Sequence, residues 1–161
     1  MYEKILVPLD GSALAEFALR HAAEISRGTQ AEILLLQAVY LPIPVVPEPV
    51  LLTEKKMLQE AVKAASEYLD RMGALLKKGG HRVRTLVDER PPADAILHVA
   101  DREDVDLIVM STHGRSGLSR LMMGSIAECV VRNTRRTVML VKPDRAAETG
   151  QATGEKRTRV S

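Results

Sequence analysis

Cysteine and aromatic residues are scarce in this chain of 161 residues. It contains one cysteine, three tyrosines, one phenylalanine and no tryptophan. The single cysteine, Cys129, excludes an internal disulfide, and no Cys/His cluster has the spacing of a zinc site. A surface that stacks nucleic-acid bases on aromatic rings is not expected. The chain therefore suits a reducing compartment, with an aliphatic core and no structural metal.

Long apolar runs and a strong excess of one charge are also lacking. No run reaches the roughly eighteen apolar residues that a membrane-spanning helix requires. The first residues, MYEKILVPLD, are typical of a strand and lack the apolar region of a signal peptide. The formal net charge of +2 is too small for a dedicated nucleic-acid binder. We expect a cytoplasmic protein with neither a membrane nor a nucleic acid as partner.

Two common nucleotide motifs are missing as well. The chain has no G-x-x-x-x-G-K-[ST], which excludes a Walker-type hydrolase, and no G-x-G-x-x-G follows the first predicted strand. It also lacks the SGGxDS loop of ATP pyrophosphatases and the HIGH and KMSKS pair of adenylating enzymes. Any nucleotide site must therefore use a different loop.

Apolar runs and amphipathic segments alternate along the chain. The runs predict strands at residues 4–9, 31–39, 82–87, 105–110 and 137–141. The 3.6-residue periodicity predicts a helix from about residue 13 that is capped by Gly28, a long helix over residues 53–78, a third helix after Pro91-Pro92 and a fourth near Ser125. This order predicts one α/β domain, a three-layer sandwich around a parallel five-stranded sheet.

Two segments do not fit this alternation. Residues 41–52 carry four prolines, which predicts an extended loop and not a helix. Residues 144–161 have no hydrophobic pattern and mix glycine, threonine and charged residues, so we expect a disordered tail after a domain of residues 1–143.

The segment VDLIVMSTHGRSGLSRLMMGSI is the most informative one. A buried strand is followed by a loop with Gly114, Gly117 and Gly124, and a helix then begins at Ser125. Glycine lets the backbone approach a ligand closely, and the unpaired amides of a helix start attract anions. The order of elements predicts a phosphate site, although glycine and serine are also ordinary loop residues.

Ligands of open α/β sheets bind at the carboxyl ends of the strands, where the strand order reverses. The first strand ends with Pro8, Asp10 and Ser12, and the second ends at Ala38. The fourth ends with Met110 and Ser111, before the glycine loop. Asp10 could equally be a helix-capping residue. These groups predict a cleft suited to a base, a sugar and an anionic tail.

Three segments, in this order and spacing, resemble the universal stress protein family: KILVPLDGS, STHGRSGLSRLMMGS and TVMLVKP. The nucleotide-binding branch of that family carries G-x2-G-x9-G-[ST], which this chain matches with Gly114, Gly124 and Ser125, while Ser111 replaces the first glycine. The resemblance covers residues 1–143. It implies an adenine nucleotide alpha hydrolase-like fold with sheet order 3-2-1-4-5, and homodimers formed through the last strand, Thr137–Val141.

The resemblance also implies roles for individual residues. Asp10 would contact the ribose or base, the Ala38 backbone would bind adenine, and Met110 and Ser111 would border the ribose. The phosphates would be held by Gly114, Gly124, Ser125 and Ile126. Arg115 is added as a cation within reach of phosphate. His113 has no partner with catalytic spacing and is not assigned a catalytic role.

These observations favour an ATP-binding regulatory protein of the stress response that acts as a homodimer on an unidentified protein partner. Mg²⁺ would arrive with the phosphates, and hydrolysis would be slow or absent because no general base is evident. A dimeric interaction module without a nucleotide, or an adenylating or ATP-pyrophosphatase enzyme, remains as an alternative.

Overall fold

The computed structural model describes residues 1–42, 48–112 and 123–142, and the side chains of residues 48–52 are not included. Five strands and four helices alternate in this part of the chain. The strands are β1 (Lys4–Pro8), β2 (Glu32–Ala38), β3 (Val83–Asp88), β4 (Leu107–Ser111) and β5 (Thr137–Val141). The helices are α1 (Ala13–Thr29), α2 (Glu48–Lys78), α3 (Pro92–Arg102) and α4 (Ser125–Asn133).

The strands form one parallel sheet in the order β3-β2-β1-β4-β5. The predicted fold class and strand order are therefore confirmed. Strand β1 lies between β2 and β4, so the chain leaves the middle of the sheet in two directions. This reversal opens a crevice beyond the carboxyl ends of β1 and β4.

Apolar side chains on the two faces of the sheet form two cores. One face packs Ile5, Val7, Ile33 and Leu35 against α1 and α2. The other packs residues such as Leu6, Leu34 and Ile108 against α3 and α4. The central strands are buried on both faces, which explains why their apolar runs do not alternate. No helix in the described residues is both long and apolar enough to cross a membrane.

Helix α2 corrects the predicted loop of residues 41–52 at residues 48–52. The helix begins at Glu48, five residues before the predicted start, and Pro49 lies in its first turn. A first-turn proline is compatible with a helix because the N–H that it lacks has no intrahelical acceptor. Residues 43–47 lie outside the described part of the chain, as does the predicted disordered tail.

The end of α1 corrects a second expectation. Gly28 lies inside the helix, and Gln30 is the C-terminal cap, with φ of 60° and its N–H donating to the carbonyl of Ser26. A left-handed cap is more often glycine, yet here a glutamine adopts it. The side-chain amide of Gln30 also donates to the Arg27 carbonyl at 3.3 Å, which helps to hold the turn.

Candidate functional site

A cavity of about 300 Å³ lies at the carboxyl edge of the sheet, over the ends of β1, β2 and β4. Its walls come from these strand ends and from the first turns of α1, α3 and α4. The lining residues are Pro8, Leu9, Asp10, Ala15, Leu36, Ala38, Pro92, Ile96, Met110, Ser111, Thr112, Gly124, Ser125, Ile126 and Ala127. The volume falls at the lower end of the range for small-molecule sites.

Eight of the eleven predicted site residues line this cavity. They are Pro8, Asp10, Ala38, Met110, Ser111, Gly124, Ser125 and Ile126. Ser12 is not among the lining residues; its hydroxyl instead accepts a hydrogen bond from the N–H of Ala15 and caps α1. Gly114 and Arg115 lie outside the described residues.

The first turn of α4 presents unpaired amides to the cavity. The first hydrogen bond within the helix runs from Glu128 N to Gly124 O at 2.9 Å. The N–H groups of Ser125, Ile126 and Ala127 precede it, and Gly124 has no side chain that could cap them. Within the described chain no protein acceptor meets these three groups. Such amides, together with the positive end of the helix dipole, favour the binding of an anion.

The amide of Gly124 itself is already engaged. Its N–H donates to the carbonyl of Thr112 at 2.8 Å, and Thr112 N donates to Val141 O at 3.0 Å. The expectation of free amides at this helix start therefore holds from Ser125 onward and not for Gly124. These two bonds fix the start of α4 relative to the ends of β4 and β5.

The end of β2 presents a second pair of backbone groups. Leu36 O accepts from Leu9 N at 2.7 Å, and Val39 N donates to Asp88 O at 2.8 Å. Because successive strand residues direct their backbone groups to opposite sides, the N–H and C=O of Ala38 point toward β1, whose pairing with β2 ends at Pro8. Neither group has a protein partner in the described residues, so Ala38 offers one donor and one acceptor side by side.

The carboxylate of Asp10 lies between these two ends of the cavity, because β1 separates β2 from β4. Its Oδ1 accepts hydrogen bonds from Ser12 N at 3.0 Å and from Ser12 Oγ at 2.6 Å. No lysine or arginine is among the described lining residues. Any cation for an anionic ligand would come from residues outside the described part or from the solvent.

Tyr68 of α2 lies close to this negative charge. Its hydroxyl donates to Glu16 Oε1 on α1 at 2.9 Å. Burial of the ring, followed by this hydrogen bond, raises the pKa of Tyr68, and the charges of Glu16 and Asp10 act in the same direction. Tyr68 therefore stays a neutral donor and links α2 to the first turns of α1.

Ser111 occupies the position at which the family motif has glycine. It ends β4, pairs with Val141, and is 8% exposed. Among described residues other than glycine, only Gln30 and Asp104 have positive φ, so the backbone at Ser111 does not require glycine. The replacement adds a hydroxyl to the cavity wall without backbone strain.

Sequence reasoning missed several wall residues. Pro92 and Ile96 belong to α3 and reach the cavity only because the third helix crosses above the ends of β1 and β2. Thr112 is 6% exposed and directly follows Ser111, so its place in the motif could have indicated it. The apolar wall residues carry no chemical signature that a sequence pattern would reveal.

The described residues contain no group of three or more His, Cys, Asp or Glu that could hold a metal ion. An ion in this cavity would therefore need ligands from the bound molecule, from water or from residues beyond the described ranges. Asp10 is the one carboxylate among the described lining residues.

The amino-acid sequence is similar to those of known proteins over most of its length. The model of the universal stress protein family matches residues 1–142. Universal stress protein MJ0531 of Methanocaldococcus jannaschii is 32% identical over 148 residues, which covers 88% of this chain and 83% of the relative.

Two solved structures are similar in fold. The structure of MJ0577, from the same organism, has a TM-score of 0.79 and 28% identity, covering 90% of this chain and 99% of that one. A universal stress protein in complex with cAMP has a TM-score of 0.58 and 25% identity, covering 87% and 96% of the two chains.

Proposed function

The chain belongs to the universal stress protein family, and from this membership and the cavity we propose that it binds ATP as a regulatory ligand. One observation carries the proposal. The three unpaired amides at the start of α4 and the unpaired backbone groups of Ala38 lie at two ends of one cavity. The solved relative that holds cAMP supports an adenine nucleotide as the class of ligand.

Each part of ATP has a chemically suitable place in this proposal. The adenine ring lies among Leu36, Ala38, Pro92 and Ile96, and Ala38 supplies a donor and an acceptor to its edge. The ribose hydroxyls donate to Asp10. The phosphates accept from the amides of Ser125, Ile126 and Ala127, where the helix dipole favours negative charge.

The remaining parts of the site follow from the same proposal. Gly114 and Arg115 complete the phosphate cradle, Ser111 and Met110 border the ribose, and Mg²⁺ enters with the phosphates. Hydrolysis is slow or absent, because a general base must reach the attacking water and the sequence shows no residue with the spacing of one.

We propose that the protein acts as a homodimer through β5. This strand is an edge of the sheet. Val141 directs its backbone groups toward β4, so those of Val138 and Leu140 face outward and have no partner among the residues that the structure describes. Met139 is 37% exposed beside them. Pairing with a second β5 about a two-fold axis would satisfy these groups.

The cellular setting is part of the proposal as well. We place the protein in the cytoplasm, where nucleotide occupancy would alter the segment that carries Gly114 and thereby its contact with a regulatory protein. ATP would then act as a signal in the stress response and not as a substrate.

Equilibrium binding of ATP to the purified protein, measured by isothermal titration calorimetry with and without Mg²⁺, tests the proposal. We expect one site per chain. Gly124→Glu adds a carboxylate where the phosphates would lie and should weaken binding by roughly tenfold to a hundredfold. The matched control is Gly28→Glu on α1, where an added Cβ meets no atom within 4 Å.

Three results would contradict the proposal. Failure of the wild-type protein to bind ATP at millimolar concentration would favour an interaction module that needs no nucleotide. Equal binding by Gly124→Glu and Gly28→Glu would place the ligand elsewhere. Rapid release of phosphate or pyrophosphate during the titration would instead reveal an enzyme.

A further inference from the structure

The hydroxyl of Ser12 lies between the start of α1 and the carboxylate of Asp10. Ser12 Oγ accepts from Ala15 N at 3.1 Å and is 2.6 Å from Asp10 Oδ1. The backbone N–H of Ser12 donates to the same oxygen at 3.0 Å. Ser12 thus contacts both the helix and the acidic group of the cavity, although it is not among the lining residues.

The hydrogen positions in this group follow from its donors. A serine hydroxyl has one hydrogen, and Ala15 N–H already donates to its oxygen, so the hydroxyl hydrogen is directed at Asp10 Oδ1. The distance of 2.6 Å is typical of a bond from a hydroxyl to an ionised carboxylate. Two donors from Ser12 therefore converge on one carboxylate oxygen and fix the plane of the Asp10 side chain.

We propose that Ser12 is a positioning residue, which aims the Asp10 carboxylate at a hydroxyl group of the ligand. The inference rests on the proposed ATP binding. Asp10 lines the cavity between the Ala38 backbone and the α4 amides, where the sugar of a bound nucleotide would lie. A carboxylate held in one orientation binds a ribose hydroxyl with less loss of side-chain freedom.

Ser12→Ala, Ser12→Gly and Ser12→Thr separate positioning from helix capping. Alanine loses both bonds of the hydroxyl, glycine keeps most of the capping effect, and threonine keeps both bonds. We expect alanine and glycine to weaken ATP binding equally, by about threefold to tenfold, and threonine to restore it. Calorimetry at constant pH and salt measures these affinities, and thermal unfolding reports the capping loss separately.

Two further measurements decide whether Ser12 acts through Asp10. In an Asp10→Ala background, Ser12→Ala should cause no additional loss of ATP affinity. With 2′,3′-dideoxy-ATP, which lacks the ribose hydroxyls, Ser12→Ala and the wild-type protein should bind equally. If Ser12 only caps the helix, Ser12→Ala should weaken the binding of both ligands, in both backgrounds. Ser12→Gly should then bind ATP nearly as tightly as the wild-type protein.

The failures of the two proposals are distinguishable. If the wild-type protein binds ATP and the Ser12→Ala and Ser12→Gly variants bind it as tightly as the wild-type protein does, the positioning role is wrong and the ATP site stands. The positioning role would also be wrong if Ser12→Ala weakened the binding of 2′,3′-dideoxy-ATP as much as that of ATP. If the wild-type protein fails to bind ATP, both proposals are wrong.

Discussion

Single backbone groups, and not reactive side chains, make up most of the candidate site. The amides of Ser125, Ile126 and Ala127 and both backbone groups of Ala38 are unpaired by protein in the described residues. Such groups are costly to leave unsatisfied when a ligand excludes water, so a complementary ligand gains much from pairing with them. Testing them requires variants that change the backbone and keep the fold.

Ser125→Pro removes one of these amides at little cost to α4. Ser125 is the first helical residue, where proline is favoured, and Gly124 has φ of −61° and ψ of 145°, which suits the residue before a proline. We expect ATP affinity to fall about tenfold or more, since a hydrogen bond to a charged group contributes roughly 1.5–3 kcal/mol. Calorimetry measures the loss.

Ser125→Ala is the matched control for that variant, because it removes the hydroxyl and keeps the N–H. Both variants should unfold at nearly the same temperature as the wild-type protein. If the proline variant binds ATP as tightly as the alanine variant, the Ser125 amide does not hold the phosphates.

At the scale of elements, hydrogen bonds from side chains join segments that are distant in sequence. Asp106, just before β4, accepts from Glu3 N at 2.8 Å and from Lys4 N at 2.9 Å through Oδ2. These two backbone bonds, with Glu3 first, hold the pKa of Asp106 below its ordinary value. The start of β1 is thereby fixed beside β4, and the carboxyl ends of the two strands face the cavity together.

Asp106→Asn tests this link through the pH dependence of stability. A lowered pKa in the folded state means that the ionised group stabilises the fold above its unfolded pKa, about 3.9, and that this contribution disappears as pH falls through the folded pKa. We expect the variant to lose about 1 kcal/mol of unfolding free energy at pH 7 and progressively less below pH 4. Urea unfolding across pH measures both.

Asp104→Asn is a suitable control because Asp104 is 85% exposed and pairs with Arg136 at the surface. Its φ of 52° is one that asparagine also adopts. This variant should change stability by no more than about 0.5 kcal/mol. A loss at Asp106 that does not vary with pH would show that the carboxylate charge contributes nothing.

At the scale of the whole molecule, the sheet has two edges with different surfaces. Strand β3 carries Arg84, which pairs with Glu32 and Glu103, and α2 packs against it. Charges of this kind protect an edge from pairing with another chain. Strand β5 has no charged residue between Thr137 and Val141, and it is the edge that we expect to pair in a homodimer.

Met139→Lys tests that expectation. Met139 is the middle residue of β5, so two-fold antiparallel pairing centred on the strand would bring two lysines together. We expect the dimer dissociation constant to rise at least about tenfold, as measured by sedimentation velocity. Met57→Lys on α2, where Met57 is 55% exposed, is the control. A wild-type monomer, or a dimer unaffected by Met139→Lys, would contradict pairing through β5.

The strand order was implied by the resemblance to a family, whereas the fold class and the residues at the strand ends followed from the sequence by itself. Those features depend on local patterns, because strands buried on both faces need continuous apolar runs and parallel neighbours need helical crossovers. The sequence did not give the helix boundaries correctly, since Pro49 lies in the first turn of α2 and Gln30, not Gly28, caps α1. A local pattern shows that these residues are compatible with several conformations and does not select one.

Only the tertiary structure decided which groups meet. Pro92 and Ile96 line the same cavity as Ala38 because α3 packs on the sheet, and the amide of Gly124 is not free because it donates to the carbonyl of Thr112. Ser12 does not itself line the cavity, and its hydroxyl instead donates to Asp10. Contacts between residues distant in the chain depend on the packing of whole elements, and no local pattern encodes that packing.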